Sequence, residues 1–500
     1  MTLLEIFPSL RSGMPSRLDS AVWPRETHYD DAGRVTVGGV ALADIADQYA
    51  TPTYVIDEDE VRQRCRAYRR VFPDAEIIYA GKAMMIRAVA KWVGQEGLSV
   101  EVCSAGELAI ALAAGIEPGR IVLHGNGKSF DELEVAVRAG VGRIVLDSLA
   151  EITMLSALVN GTQKVLIRLS PGIDVHGHPA VRTGVTDQKF GFPIASDAAT
   201  EAVERVLRRP ELDLIGFHCH LGSQIHDPDH YGEAVRRMIA EMAMVRREHD
   251  VILTELDLGG GHAVAYRGGD AEMNLAELAD VIEDALDSAC ARHRFPRPRI
   301  ALEPGRAIVA RAGVTLYRVL SVKHVEGGRT YVTVDGGMGD NARVALYGAR
   351  YSVVVANRHP DCAQMTATVA GRFCEAGDIV AADVRLPVDL RPGEVLAVPC
   401  TGAYHHSLAS TYNSVGRPPI IAVGGGRCRE LLRRETIDDL LRREAMSEPD
   451  TRTSRSGTLE RRRDIDSTSD NDGHYRRCSC TRGRRQHWVG AADGCGRHRL

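Results

Sequence analysis

No run of about twenty apolar residues occurs in this 500-residue sequence, so no membrane-spanning helix is expected. The first residues, MTLLEIFPSLRSGMPSR, lack a basic stretch followed by an apolar core and a small-residue cleavage site, and a secretory signal is not expected either. The eleven cysteines are odd in number and follow no disulfide framework, which suits a reducing compartment. Together these absences make the cytoplasm the expected location. Positive charge is not in excess: a net charge of −5 argues against nucleic-acid binding, which draws its affinity from phosphate neutralisation. Cys478, Cys480 and Cys495 lack the CxxC spacing of zinc sites, and no metal is expected.

What the chain does have is a recurring pattern. Eight apolar runs read EIIYAGKA (76–83), LSVEVCS (98–104), RIVLHGN (120–126), RIVLDS (143–148), KVLIRLS (164–170), LIGFHCHLGS (214–223), TELDLGGG (254–261) and RIALEPGR (299–306). They are rich in Val, Ile and Leu without polar alternation, as in parallel strands covered on both faces. Helix-like segments such as SAGELAIALAAG and SFDELEVAVRAG lie between them, several with Ser or Asp at the start and Gly near the end. Strand, helix, strand repeated eight times is the pattern of a (β/α)8 TIM-like barrel of the α/β class, whose active site is built at the C-terminal ends of the strands. Lys82, Ser104, His124, Asn126, Asp147, His220, the glycines 259 to 261 and Glu303 all fall at that rim.

After Arg306 the texture changes to short β-type runs bounded by Gly, Pro, Asn and Asp, such as GVTLYRVLSVKHV, QMTATVAGRF and EVLAVPCT, which predicts a mainly antiparallel β domain. The expected division is residues 1–57 joining that β domain, 58–308 forming the barrel, 309–445 the β domain, and 446–500 a disordered tail. The tail carries twelve Arg against eight acidic residues and few aliphatics.

A lysine ammonium is rarely buried without a partner, and Lys82 closes the first apolar run. A packed stem with its head in water would account for one such lysine, so the other strand ends decide. Pyridoxal 5′-phosphate requires a lysine for its covalent attachment, an acidic partner for its ring nitrogen and backbone amides for its phosphate. Lys82 supplies the first and Glu303 suits the second. The glycine loop, with Ser223, suits the third, although a tight turn accounts for GGG equally well. His220 sits where an imidazole could stack on the ring, or where a structural histidine could sit.

The motifs YAGKA, HCHLGSQ, DLGGGHA, EPGR, CEAGD and GAYHHSLASTYN, in this order, resemble the alanine-racemase-fold (fold type III) decarboxylases, and within them the diaminopimelate decarboxylase family. The likeness runs from about Trp23 to Glu444 and includes HGHPAVRTGVTDQKFGF. It implies a barrel plus β domain, pyridoxal phosphate on Lys82, an amino-acid substrate, and a homodimer whose sites borrow residues from the partner. By the same resemblance His220 stacks on the ring and Glu303 meets the ring nitrogen. Ser223, Gly260, Gly261 and the backbone of Gly305 and Arg306 hold the phosphate, and Tyr404 lies beside cofactor and substrate. Arg306, Arg343 and Tyr347 match the residues for a distal carboxylate, and two guanidinium forks suit that group. Cys374 matches the proton donor and Glu375 the residue near the distal ammonium, both from the partner subunit.

Some positions depart from the family pattern. Ala376 stands for the serine of CESGD, Glu101 for an aspartate, Gly127 and Met84 for asparagines, and His262 with Ala263 for the end of GGGxG. The expected reaction is decarboxylation of meso-2,6-diaminopimelate to L-lysine, the last step of lysine biosynthesis. The alternatives are decarboxylation of another amino acid, of ornithine, arginine or carboxynorspermidine type, and a pyridoxal-phosphate-binding protein without catalysis.

Overall fold

In the computed structural model, which describes residues 18–175, 184, 187–194 and 196–445, eight parallel strands close on themselves. They are Glu76–Ala80, Ser99–Val102, Ile121–Leu123, Arg143–Leu146, Gln163–Ser170, Leu212–His218, Glu255–Asp257 and Arg299–Leu302. The eighth pairs with the first and the fourth with the fifth, so the barrel has no free edge. The tail from residue 446 and most of HGHPAVRTGVTDQKF lie outside the described residues.

Strand alternation explains the absence of polar positions. Ile78, Val122, Val145, Leu166 and Ala301 form a small cluster of their own. Their neighbours Ile77, Tyr79, Ile121, Leu123, Ile144 and Leu146 belong to the larger core. Side chains of alternate residues point to opposite faces, so the first set fills the barrel and the second packs under the helices. Both faces are therefore apolar. The helices start where the sequence offers caps: Ser104, Ser129 and Ser148 accept the N–H three residues on, and Ser129 with Glu132 forms a full capping box. Gly140 ends its helix in the left-handed conformation at φ 73°.

The end of the barrel away from the rim is closed by charge. Arg143 lies 2.7 Å from Glu76 and 2.5 Å from Glu255, and Arg299 also reaches Glu76. Each of these residues opens its strand. Removing one member of a buried ion cluster strands the others without a counter-charge. Arg143→Leu is expected to cost roughly 3 to 5 kcal/mol of stability, read as a lower denaturant midpoint with an unchanged far-UV circular dichroism spectrum.

The second sheet centres on the long strand Gly313–His324, which pairs antiparallel with Thr53–Asp57, Thr330–Val334 and Val395–Pro399. Two of its pairings are parallel: Thr330–Val334 with Gln364–Ala370, and Ile420–Gly424 with Thr53–Asp57. The partners in each parallel pair are separated by long stretches of chain, as a parallel crossover requires. A small three-stranded sheet, His28–Tyr29, Val35–Val37 and Val40–Ala41, was not anticipated. Its tight turn is Gly38–Gly39, with φ of 57° and 79°, a pair only glycine adopts readily and suited to a two-residue hairpin.

Candidate active site

Lys82 leaves the first strand in a single helical turn, Gly81–Ala83. Gly81 is obligatory there, because a Cβ would stand 2.7 Å from the Glu101 carbonyl. The Lys82 side chain opens into a cavity of about 620 Å³, while its Nζ donates to Oε1 of Glu101 at 2.6 Å. Glu101, on the second strand, is 1% exposed. Burial works against the ammonium, but the Glu101 carboxylate outweighs it and holds the Lys82 pKa above its ordinary value.

Glu303 closes the eighth strand, the neighbour of the first. Its Oε1 lies 2.8 Å from Nε2 of His124, and its Oε2 lies 3.2 Å from Nε2 of His218. Burial would raise its pKa, but His124 and then His218 hold it well below the usual carboxylate range. His220 accepts the Gly260 N–H at Nδ1 over 3.2 Å. Burial, then the charge of Lys82, holds this imidazole well below its ordinary pKa, so it is neutral. Gly259 makes room for it: at φ 67°, a Cβ would come within 2.7 Å of the ring.

The opposite wall carries two guanidiniums. Arg306 donates to Ser223 Oγ at 2.8 Å and to the Tyr266 hydroxyl, and lies 4.7 Å over the Tyr404 ring. Arg343 donates to the Tyr351 hydroxyl at 2.5 Å and lies 4.8 Å over the Tyr266 ring. The Tyr266 and Tyr351 rings meet edge to face at 5.4 Å. Tyr404 is held at φ 63°, a strained value for a residue with a Cβ, and its N–H donates to the Ala83 carbonyl at 2.8 Å, beside Lys82.

Lys82, His220, Ser223, Gly261, Glu303, Gly305, Arg306, Arg343, Tyr347 and Tyr404 thus share one cavity. Gly260, Cys374 and Glu375 do not line it. The Gly260 N–H is taken by His220, and a Cβ there would meet the Glu303 carbonyl at 2.1 Å. Cys374 is exposed, as is Glu375. Their loop is nevertheless fixed: Asp378 accepts the Phe373 N–H at 2.7 Å and the Met338 N–H at 2.6 Å, and Asn413 accepts the Cys374 N–H at 3.0 Å. Other rim residues have structural partners. Ser104 is a helix cap and Asp147 accepts the Gly191 N–H at 2.7 Å. His262 pairs with the Tyr68 hydroxyl at 2.7 Å beneath the glycine loop.

Sequence reasoning passed over His218, Tyr266 and Tyr351. His218 could have been found, since HCH ends a strand and places the first histidine two residues from the second. Nothing local marks the tyrosines. The arrangement fits pyridoxal phosphate: an amine and a carboxylate on adjacent strand ends, a neutral imidazole in the same cavity, and a volume suited to a ligand of that size. A second part of the cavity, about 460 Å³, shares Lys82, His220 and Glu303 and reaches His124 and His218.

Residues 58–310 match the family model described as pyridoxal-dependent decarboxylase, pyridoxal binding domain. The chain is 51% identical over 444 residues to the diaminopimelate decarboxylase of Actinosynnema pretiosum subsp. auranticum, covering 89% of this chain and 100% of that one. It is 45% identical over 432 residues to the diaminopimelate decarboxylase of Mycobacterium tuberculosis (strain ATCC 25618 / H37Rv), covering 84% and 97%. The crystal structure of the diaminopimelate decarboxylase of M. jannaschii in complex with L-lysine superposes with a TM-score of 0.78 at 28% identity, over 83% of this chain and 96% of that one.

Proposed function

The chain belongs to the diaminopimelate decarboxylases, a family of pyridoxal-dependent decarboxylases, and from that premise we propose that it converts meso-2,6-diaminopimelate to L-lysine and carbon dioxide in the cytoplasm, as a homodimer with shared sites. The observation that carries the substrate is the pair of guanidiniums, Arg306 and Arg343, in the same cavity as Lys82 and Glu303. One end of the substrate reacts and the other must be recognised, and two planar forks suit a second carboxylate.

Bound pyridoxal phosphate supplies an electron sink for the pair left on Cα when carbon dioxide departs. Lys82 Nζ would hold it covalently, and Glu101, 2.6 Å from that nitrogen, would stabilise its ammonium form. Glu303 would supply the negative charge for the ring nitrogen, and the neutral His220 would offer a flat face for the ring to stack on. Ser223 and the backbone at Gly261 and Gly305 are suited to the phosphate; Gly260 contributes by holding His220. Arg306, Arg343 and Tyr347 bind the carboxylate that is retained, with Tyr266 and Tyr351 fixing the two guanidiniums. Cys374 Sγ, from the partner subunit, returns a proton to Cα, and Glu375 from the same loop faces the distal ammonium. The exposure of that loop in a single chain supports this assignment, since a proton donor without a partner would face water.

Arg343→Ala tests the substrate assignment. It deletes a charge-assisted contact worth roughly 2 to 4 kcal/mol, so kcat/KM toward diaminopimelate should fall by about one and a half to three decades. Turnover of an amino acid without a distal carboxylate should change much less. Equal losses on both would make Arg343 structural and favour an ornithine-type substrate.

A further inference from the structure

Two histidines, neither given a role so far, grip the carboxylate that faces the cofactor. His124 ends the third strand and His218 the sixth, and they meet inside the barrel with ring centres 4.9 Å apart at 74°. His218 Nε2 hydrogen-bonds Glu303 Oε2 at 3.2 Å, His124 Nε2 lies 2.8 Å from Oε1 as a close contact outside hydrogen-bond geometry, and all three residues are at most 3% exposed. A carboxylate only accepts, so the nitrogen facing it carries the hydrogen. His124 and His218 line only the part beyond the carboxylate, whereas Glu303 lines both parts.

We propose that His124 and His218 are positioning residues that act through Glu303, holding its carboxylate charged and aimed at the ring nitrogen of the bound cofactor, so that this nitrogen stays protonated. This rests on the assignment of Glu303 made above. The need is physical: a carboxylate this deeply buried would take up a proton unless donors stabilised its charge, and a protonated Glu303 could not keep a pyridinium. An imidazole N–H turned toward the carboxylate does this without cancelling its charge. Burial holds His218 down to about 4, so it donates without becoming a cation at neutral pH. Lys82 and Arg168 line the same part of the cavity and add positive potential.

The same three side chains offer ligand atoms within 4.8 Å of one another, a set that could in principle take a metal ion. The spacing does not suit a zinc ion. Nitrogen and oxygen ligands at about 2.0 to 2.2 Å from a tetrahedral zinc stand more than about 3.2 Å apart, whereas His124 and Glu303 are 2.8 Å apart.

The test uses the full-length protein carrying ¹⁵N-labelled pyridoxal phosphate and reads the ring-nitrogen signal and the cofactor's dissociation constant. His124→Phe and His218→Phe together should shift the ring nitrogen to its unprotonated signal, as Glu303→Gln should, and weaken cofactor binding by roughly tenfold or more. His124→Gln and His218→Gln keep an N–H near the position of Nε2 and should retain the protonated signal. If the phenylalanine variants do not fold, His218→Asn, whose amide is too short to reach Glu303, serves as the loss variant. In a Glu303→Gln background the histidine changes should add nothing. A protonated ring nitrogen in the loss variants, an undiminished histidine effect in the Glu303→Gln background, or a stoichiometric metal held by these residues would each overturn the inference. A protonated ring nitrogen in Glu303→Gln itself would instead overturn the Glu303 assignment, and the inference with it.

Discussion

Lys82→Ala is expected to lower lysine formation by roughly four to six decades and to remove the absorbance near ~420 nm that borohydride bleaches in the lysine-bound cofactor. Two effects are mixed in that variant. It removes the attachment point, and it leaves the buried Glu101 carboxylate without the ammonium 2.6 Å away. Lys82→Arg separates them: its guanidinium can still pair with Glu101 and preserve the melting temperature, yet it forms no such covalent bond. Both variants should therefore be inactive, with only the alanine variant destabilised. Near-full turnover in either would remove Lys82 from the chemistry.

Mixing inactive Lys82→Ala and Cys374→Ala subunits should restore activity to about a quarter of the wild-type value. In a two-fold dimer, random exchange makes half the molecules mixed, and each mixed molecule has one intact site of two. Cys374→Ala alone should lose about two to four decades, as for removal of a positioned proton donor. Recovery on mixing locates Cys374 in trans to Lys82. No recovery, with exchange confirmed by labelled subunits, would mean that Cys374 serves the Lys82 of its own chain.

How much could be read in the sequence depended on how local the signal was. All eight barrel strands were legible because each is buried on both faces, and a short Val, Ile and Leu run between capped helices fits little besides a covered strand. The sheet of residues 28–41 was not, since its strands are only two or three residues long and a Gly–Gly turn is ambiguous without them. At the site, Lys82 and Glu303 stood out as charges at the ends of apolar runs. Tyr266 and Tyr351 did not, because each acquires its role by meeting an arginine across the fold: Tyr266 bonds to Arg306 and Tyr351 to Arg343. His218 was hidden by its neighbour; one of the two histidines in HCH turns toward Glu303 and the other toward Gly260. Cys374 gave no sign in its own surroundings, and the role proposed for it rests on the family motif alone.

The strand Thr53–Asp57 has a consequence for the order in which the molecule can be made. It is flanked by Gly313–His324 on one side and Ile420–Gly424 on the other. At ribosomal rates of about 5 to 20 residues per second, its second neighbour is synthesised roughly 20 to 70 s after it. All eight barrel strands are complete well before that. A nascent chain therefore carries a finished barrel with an apolar strand, TYVID, hanging unpaired at its start, and the two ends of the polypeptide are stitched together last. Both edges of that strand are open until Gly313–His324 emerges, and one stays open to a neighbouring chain on the same polysome until Ile420–Gly424 follows.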